Sequence, residues 1–322
     1  MIHILFHMQS TLSYIFIGIV LAFITTAICL KLFMNKLPRD GGRKYAVNGS
    51  LSKGKPRGAG IIFIIVFCIM SFLFLPYSKE MFLYLILVLC AMISGYLDDR
   101  SSTPWGEYLK GIIDLVIAVS TAYTYWNHHG GTIHIQCLQQ TVVIPTYLFL
   151  CLATILIWVS INVTNCSDGV DGLCGTLSLV TLVSITVFLQ KMCPSNPSIY
   201  FILLFTSCLL AYLWFNANPS RLIMGDAGSR AIGLFISIAI LNTKCPLLFL
   251  PVAFLLLIDG GLGLVKVSLL RFLKIRIFSN TITPIHDELR KHRSWSDTQV
   301  VFRLAIIQIM ISFTYLFCII KI

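Results

Sequence analysis

Apolar residues run through the chain in long blocks that short polar segments separate. An α-helix needs about 20 apolar residues to cross a bilayer, so each block predicts one membrane helix. The ten predicted helices are centred near Ile17, Ile65, Val88, Val116, Thr154, Val183, Leu204, Ile236, Leu257 and Ile309. The eighth is the least clear, because the apolar run after Gly228 is short. The pattern predicts an all-α, polytopic membrane protein in which residues 1–322 form a single transmembrane domain.

Composition and charge agree with this class. Of the 322 residues, 57% are hydrophobic and 11% are charged, and the mean hydropathy of +0.87 is outside the range of soluble domains. If the first loop is cytoplasmic, all Lys and Arg residues except Lys79, Lys191, Lys244 and Lys321 lie on the cytoplasmic side. This positive-inside distribution predicts that both termini are extracytoplasmic. The net charge of +11 therefore reflects membrane topology and contact with membrane lipid, and no nucleic acid is expected as a partner.

The segment from Asn162 to Leu173 concentrates polar residues between two apolar blocks. The residues that could act there are Asn162, Asn165, Asp168, Gly169 and Asp171. In a low-dielectric setting each polar side chain needs a hydrogen-bond partner or water. The glycines allow close approach to a ligand, and the aspartates offer oxygen ligands to a divalent cation. A hydrated loop between two helices is the alternative interpretation.

Three more carboxylates fall on the same predicted side of the membrane. Asp98 and Asp99 end the third helix, where adjacent like charges repel unless a cation, a metal or a catalytic role relieves them; plain solvation of the helix end is the alternative. Asp226 begins the eighth helix between Gly225 and Gly228, where the N-terminal amides favour an anion. Carboxylates, asparagines and basic residues on one face are typical of a metal-assisted phosphate site. A transporter would place such groups nearer the bilayer midplane.

Basic residues supply further candidates. The segment Met34–Arg57 contains seven Lys and Arg residues and a single acid, and Lys53 and Lys55 lie there beside glycines. This segment either anchors the loop at anionic lipid headgroups or attracts a polyanionic substrate. In the fourth helix, Lys110 and Asp114 form either a local i,i+4 salt bridge or part of the lining of a site.

Other polar residues give weaker signals. His128, His129 and His134 fall in an outer loop where no carboxylate is expected nearby, so no metal site is predicted there. Asp259, which stands beside glycines, indicates either a helix kink or a buried polar contact. The eleven cysteines are scattered, a pattern that predicts neither a disulfide framework nor a zinc site.

Taken together, four motifs resemble those of the polyprenyl-phosphate N-acetylhexosamine-1-phosphate transferase family. They are Asp98-Asp99, Asn162–Leu173, Met224–Ser229, and Thr283–His286 followed by Trp295–Val300. The resemblance extends from Leu37 to Arg303. The last motif is more similar to the muramoyl-pentapeptide branch of the family than to its GlcNAc-phosphate branch.

The resemblance implies a ten-helix enzyme of the bacterial cell membrane, with its active site in the cytoplasmic loops. Such an enzyme transfers phospho-MurNAc-pentapeptide from UDP-MurNAc-pentapeptide to undecaprenyl phosphate, gives lipid I and UMP, requires Mg²⁺ and forms a homodimer. A GlcNAc-1-phosphate transferase of the same family is the alternative enzyme. A lipid or solute transporter is the alternative from another class.

The resemblance also implies roles for individual residues. Catalysis is expected at Asp98, Asp99 and Asp226, and Mg²⁺ binding at Asp226 and Asp168. Substrate binding is expected at Lys53, Lys55, Lys110, Asn162, Asn165, Asp168, Gly169, Asp171, Asn216, Ile223 and His286.

The chain departs from the family pattern at two of these positions. His286 is followed by Asp287 and Glu288, where the family has further histidines, and Ile223 stands where an aromatic residue is expected to stack on uracil.

Direct attack of the lipid phosphate is the favoured mechanism, and a two-step route through an aspartyl phosphate is the alternative.

Overall fold

The computed structural model describes residues 11–42, 52–101, 103, 105–277 and 281–321, most of which form helices. The helices are α1 (Thr11–Phe33), α2 (Gly60–Phe74), α3 (Lys79–Arg100), α4 (Glu107–His129), α5 (Thr146–Cys166), α6 (Leu173–Met192), α7 (Ser198–Asn216), α8 (Gly225–Asn242), α9 (Phe249–Val252), α10 (Phe254–Ser268), α11 (Ile285–His292) and α12 (Asp297–Lys321). Two strands, β1 (Thr132–Ile135) and β2 (Gln140–Val143), form an antiparallel hairpin between α4 and α5.

Six of the described helices are long and apolar enough to cross a membrane, namely α1, α3, α5, α6, α7 and α12. A seventh span results if α10 is combined with the short helical segment before it, from which it is bent by 90°. The prediction of an all-α, multi-pass membrane protein is therefore confirmed. Each of the ten predicted centres lies in a helix, but ten crossings and the orientation of the termini stay predictions.

Helix α8 is the centre of the bundle, since every residue from Gly225 to Leu241 is buried and α2 to α7 all contact it. Glycines allow this close packing. A Cβ atom on Gly60 or Gly95 would overlap the main chain of the first turns of α8, and one on Gly233 would overlap that of α5. Small residues let helix backbones approach in this way inside membranes. The eighth apolar run looks short because Asp226, Ser229 and Arg230 occupy the first turns of α8.

The hairpin marks one end of the bundle. His129 Nε2 lies 2.7 Å from Glu80 Oε1 there, so the expectation that no carboxylate lies near these histidines is wrong. At the opposite end α3, α5 and α7 end while α4, α6 and α8 begin. The loops that contain the predicted site residues therefore meet at one end of the bundle.

Candidate active site

The ammonium group of Lys110 joins two of the predicted catalytic carboxylates. Lys110 lies in the first turn of α4, and its Nζ atom lies 3.1 Å from Asp226 Oδ2 and also pairs with Asp98 Oδ2. Asp98 additionally accepts a 2.7 Å hydrogen bond from the Trp105 amide. Three residues from three different helices thus form one cluster. The predicted alternative of a local salt bridge between Lys110 and Asp114 is wrong, because Asp114 pairs with Arg230.

Asp99 has a different environment from its neighbour Asp98. Its side chain is fully buried and accepts hydrogen bonds from the amides of Asp226 (3.1 Å) and Ala227 (3.0 Å) at the start of α8. A carboxylate in this position caps a helix and is stabilised by the helix dipole. A Cβ atom on Gly225 would overlap this carboxylate. In this geometry Asp99 orients the first turn of α8, and with it Asp226.

Arg57 completes the cluster, although it is absent from the predicted site residues. Its Nε atom lies 2.8 Å from Asp99 Oδ1, and its two terminal nitrogens lie 3.4 Å from Asp226 Oδ1 and from Asp40 Oδ1. Burial lowers the pKa of the guanidinium, but Asp99, Asp226 and Asp40 outweigh this and raise it overall. Arg57 therefore stays charged among these carboxylates.

A buried ion pair fixes α4 against α8. Arg230 is completely buried, and its Nε atom donates a 3.0 Å hydrogen bond to Asp114 Oδ1. Its Nη2 atom donates to the same oxygen and, at 3.4 Å, to the carbonyl of Lys110. The pair thereby holds the turn from which Lys110 reaches Asp98 and Asp226. Opposite charges in two apolar blocks were the sequence signal for this pair.

The polar segment after α5 forms the second half of the site. Lys55 Nζ lies 2.9 Å from Asp171 Oδ2 and 2.8 Å from the Ser220 hydroxyl. Asn165 accepts a 2.8 Å hydrogen bond from the hydroxyl of Ser229 in α8. Asp168 is half-buried in the same segment, and its charge acts on Arg57. The structure thus brings Lys55, Asn165, Asp168 and Asp171 close to the carboxylate cluster.

Four other predicted residues form no hydrogen bond or ion pair with Asp98, Lys110 or Asp226 in the part of the chain that the structure describes. Asn216 is buried and bridges the Gly172 amide and the Leu222 carbonyl. Ile223 is also buried, and its amide donates to the Pro56 carbonyl. Lys53 is exposed. The side-chain Nδ2 of Asn162 donates to its own helix at the Trp158 carbonyl, and Asn162 helps to line a cavity.

Helix α11 packs through a buried histidine against the turn around Gly169, between α5 and α6, which is called the Gly169 turn below. His286 Nδ1 lies 2.8 Å from Asp259 Oδ2, and its amide donates a 2.8 Å hydrogen bond to Asp259 Oδ1. A Cβ atom on Gly169 would overlap the imidazole, and Arg290 Nη2 lies 3.5 Å from the Gly169 carbonyl. Asp259 therefore makes a buried polar contact, the second of its two predicted alternatives. His286 is 2% exposed, so it supports the Gly169 turn from the protein interior.

A cavity of about 880 Å³ lies beside the cluster, between α4, α5 and α10. Its wall is largely apolar and includes Ile112, Leu115 and Trp158. Lys110 and Asn165 belong to its polar part. The cavity can therefore take an apolar ligand whose charged end lies near the ammonium of Lys110.

Comparisons with known proteins agree with these motifs. The sequence profile of glycosyl transferase family 4 matches residues 81–244. A protein of Treponema pallidum named phospho-N-acetylmuramoyl-pentapeptide-transferase is 38% identical over 290 residues, which is 84% of this chain and 80% of the relative. A protein of the same name from Dictyoglomus thermophilum is 29% identical over 306 residues, 90% of this chain and 93% of the relative. The chain therefore belongs to glycosyl transferase family 4.

Proposed function

We propose that this protein transfers phospho-MurNAc-pentapeptide from UDP-MurNAc-pentapeptide to undecaprenyl phosphate, giving lipid I and UMP for peptidoglycan synthesis. The main support is the cluster of Asp98, Asp226 and Lys110 at one end of a membrane helix bundle. The names of the relatives agree with this reaction. Both substrates are anionic, so charge neutralisation and positioning are the principal tasks of the site.

The carboxylate oxygens of the cluster fit Mg²⁺. This ion commonly binds through one or two carboxylates together with substrate phosphates and water. Asp226 would hold it, with Asp168 as the second candidate ligand. Within the described residues no group of three His, Cys, Asp or Glu side chains is arranged for a metal, so the donor phosphates and water would have to supply the other ligands. When bound, Mg²⁺ supplies positive charge for the diphosphate and the UMP leaving group.

Asp98 is proposed to accept the proton of the lipid phosphate. A phosphate oxygen of the lipid then forms a bond to the sugar-linked phosphorus, while the bond from that phosphorus to the oxygen of UMP breaks. Lys110 holds Asp98 and Asp226 side by side and offers a cation to both phosphates. In the alternative two-step route, enzyme incubated with the labelled UDP-sugar alone would retain a covalent phosphosugar. We expect none.

The two substrates are proposed to enter from different sides of the cluster. The isoprenoid chain fits the apolar wall of the cavity, since Lys110 at its polar part can meet the lipid phosphate. The UDP-sugar fits the polar segment, where Lys55 and Asp171 hold each other and Ser220. Two separate entrances allow both substrates to be bound at the same time.

The membrane arrangement extends the proposal. The ten apolar blocks support ten crossings, and the distribution of Lys and Arg supports an orientation with both termini outside and the site on the cytoplasmic side of a bacterial membrane. A homodimer in the membrane is proposed from the family resemblance. Cysteine labelling from each side, at positions in the hairpin and in the Gly169 turn, tests the orientation; label on both sites from the same side contradicts it.

One assay tests the reaction and the choice of donor. Purified protein receives undecaprenyl phosphate, Mg²⁺ and either UDP-MurNAc-pentapeptide or UDP-GlcNAc, and released UMP is measured. We expect UMP only from the muramoyl donor and only with intact Asp226. UMP from UDP-GlcNAc alone would support the alternative transferase. Release no greater than that of Asp226→Asn from either donor contradicts an enzymatic function, and accumulation of intact substrate in vesicles would then favour a transporter.

A further inference from the structure

Arg57 is held in place before any substrate arrives. Its main chain pairs with the segment before α8, through a bridge to Ile223, and its amide donates a 2.8 Å hydrogen bond to the Pro38 carbonyl. On the side chain, Nε contacts Asp99 at 2.8 Å and Nη1 contacts Asp40 at 3.4 Å. A side chain fixed in this way loses little conformational entropy when it binds a ligand.

The third contact of Arg57 is the one that can be exchanged. Nη2 lies 3.4 Å from Asp226 Oδ1, a long distance for a charged hydrogen bond. Asp226 already has Lys110 as a partner at 3.1 Å. The Arg57 side chain is 26% exposed, whereas that of Asp99 is fully buried. The Nη2 edge is therefore the part of the guanidinium that can turn from protein to ligand.

Arg57 also stands between the two halves of the site. It touches Asp226 in the carboxylate cluster, feels the charge of Asp168 in the polar segment, and follows Lys55 by two residues. Lys55 in turn lies 2.9 Å from Asp171. A diphosphate that joins a nucleotide near Asp171 to a reacting phosphorus near Asp98 passes this position. A guanidinium is suited to it, since its planar donors match phosphate oxygens.

We propose that Arg57 is a further substrate-binding residue, whose Nη2 edge leaves Asp226 and donates to the diphosphate of the donor. The inference rests on the proposed function and names the group that receives the donor phosphates. The exchange frees one oxygen of Asp226 for the divalent cation. Arg57 therefore couples the binding of the diphosphate to the binding of the divalent cation. Without diphosphate, the guanidinium and the cation compete for Asp226. When diphosphate is bound, the guanidinium and the cation both contact the diphosphate.

Binding measurements on the full-length protein in detergent test the inference without turnover. UDP serves as the diphosphate probe, and Mn²⁺, observed by electron paramagnetic resonance, stands in for Mg²⁺. In Arg57→Gln we expect UDP to bind about tenfold more weakly, as for the loss of one charged hydrogen-bonding group. Mn²⁺ alone is expected to bind roughly threefold more tightly, because the partly exposed guanidinium no longer competes for Asp226. Arg57→Lys should restore only part of the UDP affinity, since an ammonium cannot span the same contacts.

The control is Arg100→Gln, which removes the same charge from an exposed residue beside Asp99. It should leave the affinities for both probes unchanged. Equal UDP affinity in wild type and Arg57→Gln, with both proteins folded, overturns the inference, as does an equal loss in the control. Failure of the proposed function looks different, because wild-type protein would then release no UMP from either donor, whatever Arg57 does.

Discussion

Asp114→Asn is expected to destabilise the protein, because Asp114 is the ion-pair partner of the buried Arg230. In Asp114→Asn the shape of the side chain is kept, but the completely buried guanidinium loses the carboxylate that accepts from both Nε and Nη2. Breaking a buried ion pair on one side typically costs 3–5 kcal/mol, so we expect a loss of about 4 kcal/mol in the free energy of unfolding. Activity should fall as well, because Arg230 also holds the carbonyl of Lys110.

The assay is SDS-induced unfolding in mixed micelles, followed by circular dichroism. Glu107→Gln is the matched control, because it breaks the solvent-exposed pair with Arg271 and should leave the unfolding curve unchanged. The double variant Asp114→Asn/Arg230→Gln removes the stranded charge and should recover at least half of the loss. If Asp114→Asn and Glu107→Gln unfold at the same SDS fraction, the pair does not fasten α4 to α8.

Four other substitutions, with Gly106→Ala as a control, separate the roles of further residues. Asp99→Asn should lower stability by about 1–3 kcal/mol, because the carboxylate charge that caps α8 and pairs with Arg57 is lost. Thermal unfolding of Asp99→Asn at the wild-type temperature refutes the capping role. Asp98→Asn should abolish UMP release at unchanged UDP affinity. Asp171→Asn should weaken donor affinity more than it lowers kcat, and the reverse result would move Asp171 into the chemistry. Gly169→Ala places a Cβ atom against the imidazole of His286 and should lower the free energy of unfolding by about 1–3 kcal/mol. Gly106→Ala, which has open space around its Cβ position, should leave it unchanged. Equal thermal stability of the two variants counts against docking of α11 at Gly169.

The sequence predicts the helical membrane class and much of the site. Apolar blocks report directly on burial in lipid, and Asp98 and Asp226 follow from helix ends on a common side. The capping role of Asp99 does not follow, because adjacent acids look equivalent in sequence and differ only in which one reaches the amides of α8. The hairpin after α4 is short, and its Thr132 to Ile135 alternation is easily taken for a loop.

The cations were harder to assign than the acids. Arg57 belongs to a basic segment whose charge is accounted for by the cytoplasmic position of the loop. The contact of Arg57 with Asp99 follows only from the fold. Lys110 and Asp114 have the spacing of a local pair, but α8 inserts Asp226 and Arg230 beside them. Arg230 was recognisable in principle: a charged residue in an apolar block needs a partner of opposite charge, and Asp114 is such a residue. Side-chain partners across helices are tertiary facts that local spacing does not determine.

The proposed transfer at Asp98, Asp226 and Lys110 requires that UMP and lipid-linked product form in equal amounts, so both products are measured in one reaction. Undecaprenyl phosphate and UDP-MurNAc-pentapeptide are incubated with Mg²⁺ and either wild type, Asp226→Asn or Lys191→Gln, an exposed residue at the end of α6, and UMP and lipid-linked muramoyl-pentapeptide are measured together. We expect equal amounts of the two products from wild type and Lys191→Gln, and neither product from Asp226→Asn. Lipid-linked product at the wild-type level from Asp226→Asn, or UMP without lipid product from wild type, contradicts transfer at this cluster.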